Sequence, residues 1–110
     1  MLFADTSRRG RPFAKDPAVV CFNNQYLLYY SLSPFGDGRP GDGLAIGIAR
    51  SDDLDAWEKI GEMLPEPGPE RNGICAPGAI VLDGRVHLFY QTYGNGPKDA
   101  ICHEIGRAHV

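Results

Sequence analysis

The sequence lacks long hydrophobic runs. Residues 1–15 contain no apolar stretch of signal-peptide length, and no segment approaches the ~20 apolar residues of a membrane span. Basic charge is not in excess either, because 11 Lys and Arg stand against 14 Asp and Glu, a net charge of −3. Neither nucleic acid nor a membrane is therefore expected as a partner. A cytoplasmic location is expected, with loss of an upstream export signal as the alternative.

Cysteine is also scarce. The chain has three cysteines, Cys21, Cys75 and Cys102, an odd number without the spacing of metal ligands. This pattern favours buried reduced thiols over a disulfide framework or a zinc site, and we expect no metal and no cofactor. The glycine-rich stretches at residues 36–43 and 65–73 lack the strand-loop-helix context of a phosphate-binding loop. We therefore assign them no chemistry.

Glycine and proline are abundant, with 14 and 9 residues, and they separate short runs rich in β-branched and aromatic residues. Such runs predict strands; they cover residues 17–22, 25–32, 44–50, 57–64, 78–84 and 85–93. Only residues 53–64 compete as a helix, through the spacing of Leu54, Trp57, Ile60 and Leu64. For this segment we favour a one-turn cap over residues 51–56 followed by an edge strand. The chain is predicted to be all-β.

An internal repeat with an offset of 60 supports this interpretation. Residues 16–32 align on residues 76–92, so that Pro17 meets Pro77 and Tyr30 meets Tyr90. The dipeptide Asn23-Asn24 meets Asp83-Gly84, and both dipeptides suit a two-residue hairpin turn with positive φ angles. Four-stranded units that recur at this spacing are typical of propeller blades. A β-sandwich with two similar hairpins is the alternative.

Three stretches, KDPAVV…NNQYLLYYSL, IGIARSDDLDAWEKIGEML and ICAPGAIVLDGRVHLFYQTYG, together resemble the opening blades of five-bladed β-propeller glycosidases. These enzymes are glycoside hydrolase family 43 and its relatives in families 32, 62, 68 and 117. The resemblance covers nearly the whole chain. It implies a five-bladed propeller in the parent protein, of which residues 16–64 form the first blade and residues from about 74 part of the second.

The resemblance also implies a function, hydrolysis of the O-glycosidic bond of an oligosaccharide or glycoside. Asp16, in the Asp-Pro pair before the first strand, matches the general base or nucleophile. A proline pushes the preceding residue into extended geometry, so Asp16 is expected to be extended and rigidly placed. An aspartate is ordinarily ionised at neutral pH, as a base or nucleophile must be. A solvated aspartate at a strand start is the alternative.

Two further parts of the family's catalytic machinery do not match this chain. The resemblance implies a second carboxylate after the Ala-Pro pair of the second blade, but Gly78 stands there, or Ala79 if the register slips by one. The general acid, a glutamate, belongs to a third blade that the sequence does not reach. Gly78 at this position makes a non-catalytic carbohydrate-binding or scaffold propeller an alternative function, and a glycoside phosphorylase on the same fold is another alternative.

Polar residues near the predicted site are candidates for binding the sugar. Amide, phenol and carboxylate groups can hydrogen-bond sugar hydroxyls, and an aromatic ring can stack on a sugar. The candidates are Lys15, Gln91, Tyr93, Asn95 and Asp99, with Lys98 in the same loop. A merely polar turn is an equally good interpretation of residues 91–99. His87 is expected to be a packed strand residue.

Residues 104–110, EIGRAHV, break the repeat. They read as the translation of a common sequencing adapter. We therefore expect the propeller domain to comprise residues 1–103 and the last seven residues to be a non-native tail.

Overall fold

The structure, a computed structural model, describes residues 2–8 and 12–109. No α-helix occurs among these residues, which confirms the all-β prediction. The strands are β1 (Lys15–Phe22), β2 (Gln25–Leu32), β3 (Ala45–Ser51), β4 (Glu58–Met63), β5 (Ile74–Leu82), β6 (Arg85–Thr92) and β7 (Ile101–Glu104). Short 3₁₀ helices cover Gly96–Lys98 and Gly106–Ala108.

The strands form two antiparallel sheets, each a simple meander. The first has the order β1-β2-β3-β4 and the second the order β5-β6-β7. The predicted edge strand is therefore present as β4, but the predicted helical cap before it is wrong. Residues 51–56 form bends in which Ser51 Oγ and the Asp53 carboxylate accept backbone N–H groups. Because side chains satisfy those donors, no helical turn is needed.

The repeat seen in the sequence is present in the backbone. Both predicted hairpin turns are found, with φ values of +53° and +61° at Asn23 and Asn24 and of +52° and +71° at Asp83 and Gly84. Positive φ at both central residues defines the turn that suits the twist of a hairpin. The strand register repeats as well, since Ala18 pairs with Tyr29 and Gly78 with Phe89.

Each unit also carries the same β-bulge. In β1, Lys15 pairs with Ser31 and Ala18 with Tyr29, so Asp16 and Pro17 together oppose Tyr30. The expectation that Asp16 is extended is wrong, because its φ is +56°. Pro17 favours an extended Asp16, but the bulge requires a different backbone conformation at this residue, and the bulge prevails. Ala76, before Pro77, has the same φ of +56°. Strand β5 begins at Ile74, earlier than predicted, because it pairs with β6 on both sides of this bulge.

The main core lies between the two sheets, and the repeat explains which faces meet. The first sheet contributes Leu27 and Tyr29, and the second contributes Leu88 and Tyr90. With the offset of 60, Leu88 and Tyr90 correspond to Leu28 and Tyr30, which lie on the opposite face of the first sheet. The two sheets therefore contact each other through faces that are not equivalent in the repeat. Such head-to-tail packing is the kind that can close into a ring.

Head-to-tail packing leaves one apolar face of the second sheet uncovered. Phe89 is 42% exposed, whereas Tyr29, its counterpart in the first sheet, is fully buried against the second sheet. The other large exposed apolar residues on this face are Ile80, Leu82 and Ile101. We call these residues, with Phe89, the free face. With the offset of 60, the free face corresponds to the face of the first sheet that packs on the second sheet.

The far face of the first sheet is covered by the N-terminal segment and by Trp57. Leu28, Tyr30 and Leu32 are buried there with Phe3 and Trp57 packed against them.

A buried polar network holds the N-terminal segment in place. Tyr30 donates a hydrogen bond of 2.5 Å to Asp5, and Lys59 lies 2.9 Å from the same carboxylate. Arg8 forms a two-pronged ion pair with Glu62 at 2.8 and 3.1 Å. Both Asp5 and Arg8 are buried. The cost of removing their charges from water is offset because each one has a partner of opposite charge.

The cysteines only partly match expectation. All three are free, but Cys75 is buried, Cys102 half-buried and Cys21 exposed. The prediction of a buried thiol is wrong for Cys21, because in β1 it lies on the face opposite Val20 and Phe22, which pack on the main core. Among the described residues, no helix has the length and hydropathy to cross a membrane.

The described part of the tail packs against the main core. Tyr29 donates a hydrogen bond of 2.6 Å to the carbonyl of Ala108, and the N–H of Val86 donates one of 2.7 Å to His109 Nε2. Val110 lies outside the described residues. These contacts do not test the origin of the tail, which stays a prediction.

Candidate functional site

Asp16 lies at the start of the first sheet's edge strand, where that strand meets the second sheet. Its carboxylate accepts a hydrogen bond of 2.8 Å from the Ser31 hydroxyl. The oxygen of that hydroxyl, Ser31 Oγ, in turn accepts the N–H of Ala76, also at 2.8 Å. Ser31 is buried, whereas Asp16 is exposed. The carboxylate is thus held at the junction of the two sheets and remains open to a ligand. The sequence contained no signal for the part played by Ser31.

The corresponding position of the second sheet carries no carboxylate. Ala76 occupies the place of Asp16 in the repeat, and Gly78 follows the Ala-Pro pair. A Cβ built on Gly78 would have no heavy atom within 4 Å, so the backbone leaves room for a side chain there. The described chain therefore brings no second acid next to Asp16 at this point of the repeat.

The glutamates of the first sheet and of residues 65–73, which join the two sheets and which we call the linker, lie elsewhere. Glu58 and Glu62 are on β4, at the opposite edge of the sheet from β1. Burial would raise the pKa of the Glu62 carboxyl, but hydrogen bonds from Arg8 and Lys59 outweigh it and hold the pKa below its ordinary value. Glu70 accepts a hydrogen bond of 2.7 Å from Tyr90. A general acid needs a raised pKa, and Glu62 has the reverse.

The predicted sugar-binding residues are distributed over different surfaces. The Lys15 ammonium lies 6.0 Å from the centre of the Phe13 ring, and Lys15 lines a small recess with Phe3 and Tyr30. It forms no ion pair with Asp16. Gln91 is half-buried on β6 opposite Cys75, and Tyr93 is 51% exposed, with its N–H donating to the Gly73 carbonyl at 2.9 Å.

Asn95 and Asp99 organise the loop that follows β6. Asp99 Oδ1 accepts hydrogen bonds from Thr92 Oγ1 at 3.0 Å and from the Asn95 N–H at 3.1 Å. Asn95 in turn accepts a bond of 2.7 Å from Asn72 and donates one of 2.8 Å to the Pro69 carbonyl. Both side chains therefore stabilise the loop, and Asn95 also lines a groove.

This groove is open, about 570 Å³ in volume, and lies between the linker and the loop after β6. We call it the linker groove; it is lined by Gly68, Pro69, Arg71, Asn72, Gly94, Asn95 and Lys98. The linker had been assigned no chemistry, so its contribution to a cavity was missed. Nothing in its composition could have revealed which loop it would face.

Cys75 lies close to two of the candidate carboxylates. Burial raises the pKa of its thiol, and the negative charges of Asp16 and Asp99 raise it further. Both carboxylates therefore act electrostatically on Cys75, which is buried at the start of β5. A thiol kept protonated in this way is a packing group and a poor nucleophile.

His87 is half-buried in its strand, with its Nδ1 atom 2.9 Å from His103 Nε2. The two rings stack, and His103 also stacks on Phe89. No group of three or more His, Cys, Asp or Glu side chains suited to a metal occurs in the described residues.

Comparisons with known proteins give the family. The model of the glycosyl hydrolases family 32 N-terminal domain matches residues 11–103, and family 32 is one of the families that the resemblance named. No curated protein matches the sequence.

A solved structure agrees with the fold. The α-L-arabinanase of Cellvibrio cellulosa, complexed with arabinohexaose, matches with a TM-score of 0.57 and 17% identity over 87% of this chain and 33% of that one. The chain thus spans about a third of that protein's length, and its two sheets form the first blade and part of the second blade of a β-propeller. The chain belongs to the glycosyl hydrolases family 32 N-terminal domain family.

Proposed function

We propose that this chain is the N-terminal part of a glycoside hydrolase that acts on an oligosaccharide or glycoside, with Asp16 as general base or nucleophile. The observation that carries the proposal is the bridge from Asp16 through Ser31 to Ala76, which aims an exposed carboxylate at the junction between two blades. β-Bulges often re-aim side chains at active sites. The family match and the oligosaccharide bound to the arabinanase support a sugar substrate.

The chemistry needs a second carboxyl group. Glycoside hydrolysis uses one ionised and one protonated carboxyl on either side of the scissile bond. Asp16 supplies the ionised group. We propose that the acid is a glutamate of a further blade, which packs on the free face of the second sheet.

The experiment is Asp16→Asn in the full-length enzyme. The amide keeps the size of the side chain and can still accept the hydrogen bond from Ser31, so the fold and substrate binding should be retained. We expect kcat to fall by roughly 10²–10⁴-fold. Asp55→Asn is the matched control, because Asp55 is exposed and its carboxylate makes no hydrogen bond in the described structure. Near-normal kcat in Asp16→Asn refutes the assignment.

A non-catalytic carbohydrate-binding propeller is the second candidate, favoured by Gly78 at the position of the second carboxylate. The two candidates differ in the full-length gene. A glutamate near the ring axis in the third blade supports the enzyme, and its absence supports the binding protein.

A further inference from the structure

The linker groove has the size of a ligand site and stiff walls. Its volume of about 570 Å³ falls within the ~300–1,000 Å³ of typical small-molecule pockets. The Asn72–Asn95 hydrogen bond of 2.7 Å and the Asn95–Pro69 bond of 2.8 Å tie its two sides together. An open groove whose two sides are joined by such hydrogen bonds keeps its shape before a ligand arrives, which lowers the entropy cost of binding.

Two glycines permit the close approach that holds Asn72 in place. A Cβ on Gly43 would lie 2.3 Å from the Asn72 carbonyl oxygen, and a Cβ on Gly94 would lie 3.0 Å from Asn72 Cβ. Gly94 also has a φ of +92°, which other residues rarely adopt. The linker is therefore packed between two loops of different blades.

The groove carries two cations without local neutralisation. Neither the Arg71 guanidinium nor the Lys98 ammonium forms an ion pair or hydrogen bond with any part of the chain that the structure describes. The neighbouring carboxylates point elsewhere. Asp99 accepts from Thr92 and Asn95, and Glu70 accepts from the Tyr90 hydroxyl.

The groove lies at the same end of the sheets as Asp16. Asn72 is four residues before Ala76, whose N–H is joined to Asp16 through Ser31. Four residues of chain span at most about 14 Å. A saccharide of a few units is therefore long enough to reach from Asp16 to the groove.

We propose that the linker groove binds the carboxylate of an acidic sugar unit, a uronic acid, in the substrate. The planar guanidinium of Arg71 pairs a carboxylate through two parallel hydrogen bonds, Lys98 adds a second positive charge, and the amides of Asn72 and Asn95 serve the ring hydroxyls. This specificity rests on the proposed function, since it presumes a saccharide at Asp16.

The test is a calorimetric titration of the chain, fused to a soluble carrier, with trigalacturonate and with its neutral methyl ester. We expect the acid to bind about 5- to 10-fold more tightly at low salt, as two exposed cations allow, and the difference to shrink as salt rises. In R71Q/K98Q the two ligands should bind equally. R85Q is the control, since Arg85 is an exposed arginine on the hairpin end of β6, and it should keep the preference.

Three results overturn the proposal: no binding of trigalacturonate, equal binding of the methyl ester, or an undiminished preference in R71Q/K98Q. Tighter binding of a sulfated trisaccharide than of the uronate also overturns the proposal, because the preferred anion would then be a sulfate ester and not a carboxylate. Binding of inorganic sulfate as tight as that of the saccharide overturns it as well. If the full-length enzyme hydrolyses neutral glycosides while the preference is missing, the proposed function stands and this inference falls. If the preference depends on Arg71 and Lys98 but the full-length protein hydrolyses no glycoside, the groove binds the uronate and the proposed hydrolysis is refuted.

Discussion

The hydroxyl of Ser31 donates a hydrogen bond to the carboxylate of Asp16, with 2.8 Å between Oγ and Oδ2. Ser31 also accepts the backbone N–H of Ala76, so the orientation of Asp16 depends on the position of the second sheet. A residue of the first blade and the backbone of the second blade thus share one buried hydroxyl. We expect the candidate site to be sensitive to this single group.

Ser31→Ala in the full-length protein removes that group. Asp16 then loses its only side-chain donor in the described structure, and the N–H of Ala76 loses its acceptor. We expect kcat to fall by roughly tenfold with little change in KM, and the free energy of unfolding to fall by about 1–2 kcal/mol. Ser33→Ala is the control, because the Ser33 hydroxyl makes no hydrogen bond in the described structure and only its carbonyl is used, by Arg8. Unchanged kcat in Ser31→Ala contradicts the positioning role.

Asp5 should make the stability of the protein depend on pH in the acid range. Burial raises its pKa, but hydrogen bonds from Ser7, Tyr30 and Lys59 outweigh burial and lower the pKa to about 2. A folded-state pKa below the unfolded value stabilises the fold above pH 4, and this stabilisation is lost as the pH falls from about 4 to 2. Unfolding by urea at several pH values should show a loss of about 1–2 kcal/mol attributable to this group.

Asp5→Asn should flatten that part of the pH profile, and Asp55→Asn should leave it unchanged. Arg8 and Glu62 flank Asp5 in the same network, and Glu62, with its lowered pKa, contributes in the same direction. An Asp5→Asn profile identical to that of the wild type would show that Asp5 does not carry the effect.

Gly47 should be intolerant of any side chain. It pairs with Tyr30 across β2 and β3, and a Cβ there would lie 2.2 Å from the Tyr30 ring. Gly47→Ala is expected to lower the free energy of unfolding by about 2–3 kcal/mol, because the buried ring cannot move without disturbing Asp5. Gly78→Ala, also in a strand but with open space around it, should be neutral. Equal stability of the two variants in a urea titration contradicts the packing argument.

The free face should limit solubility. It exposes Phe89 and Ile101, at 42% and 74%, on a sheet surface that corresponds to a buried one in the first blade. Phe89→Lys should raise the soluble concentration of the chain, because a contiguous apolar patch is broken by charge. Leu54→Lys is the control, since Leu54 is 47% exposed but lies in the bends before β4. Equal gains from both variants point to net charge as the cause.

The chain by itself should not hydrolyse glycosides. Asp16 is one carboxyl group, and the described glutamates lie on β4, in the linker and at the end of β7. A propeller closes with typically 4–8 blades, and the structure has fewer than two complete ones. Assays with aryl glycosides and oligosaccharides should give no turnover above buffer. Robust turnover by the soluble monomer contradicts both the two-carboxyl mechanism and the need for a closed ring.

Local signals in the sequence determined much of the fold. Asn23-Asn24 and Asp83-Gly84 predicted the hairpin turns because these residues tolerate positive φ without help from the rest of the chain. Runs rich in β-branched and aromatic residues predicted strands such as β2 and β6, and the offset of 60 predicted that the same unit recurs. Asp16 was singled out by the Asp-Pro pair and the family resemblance, and the family match came from sequence alone.

Tertiary structure decided the features that join residues distant in the chain. The positive φ of Asp16 arises from a bulge that exists only when β1 pairs with β2. Ser31 lies 45 residues before Ala76, and Asn72 lies 23 before Asn95, so no local preference could place either pair within hydrogen-bonding distance. Composition predicted that the strands are apolar, but only the packing of one blade on the next decided which face of each sheet is buried and which is left free.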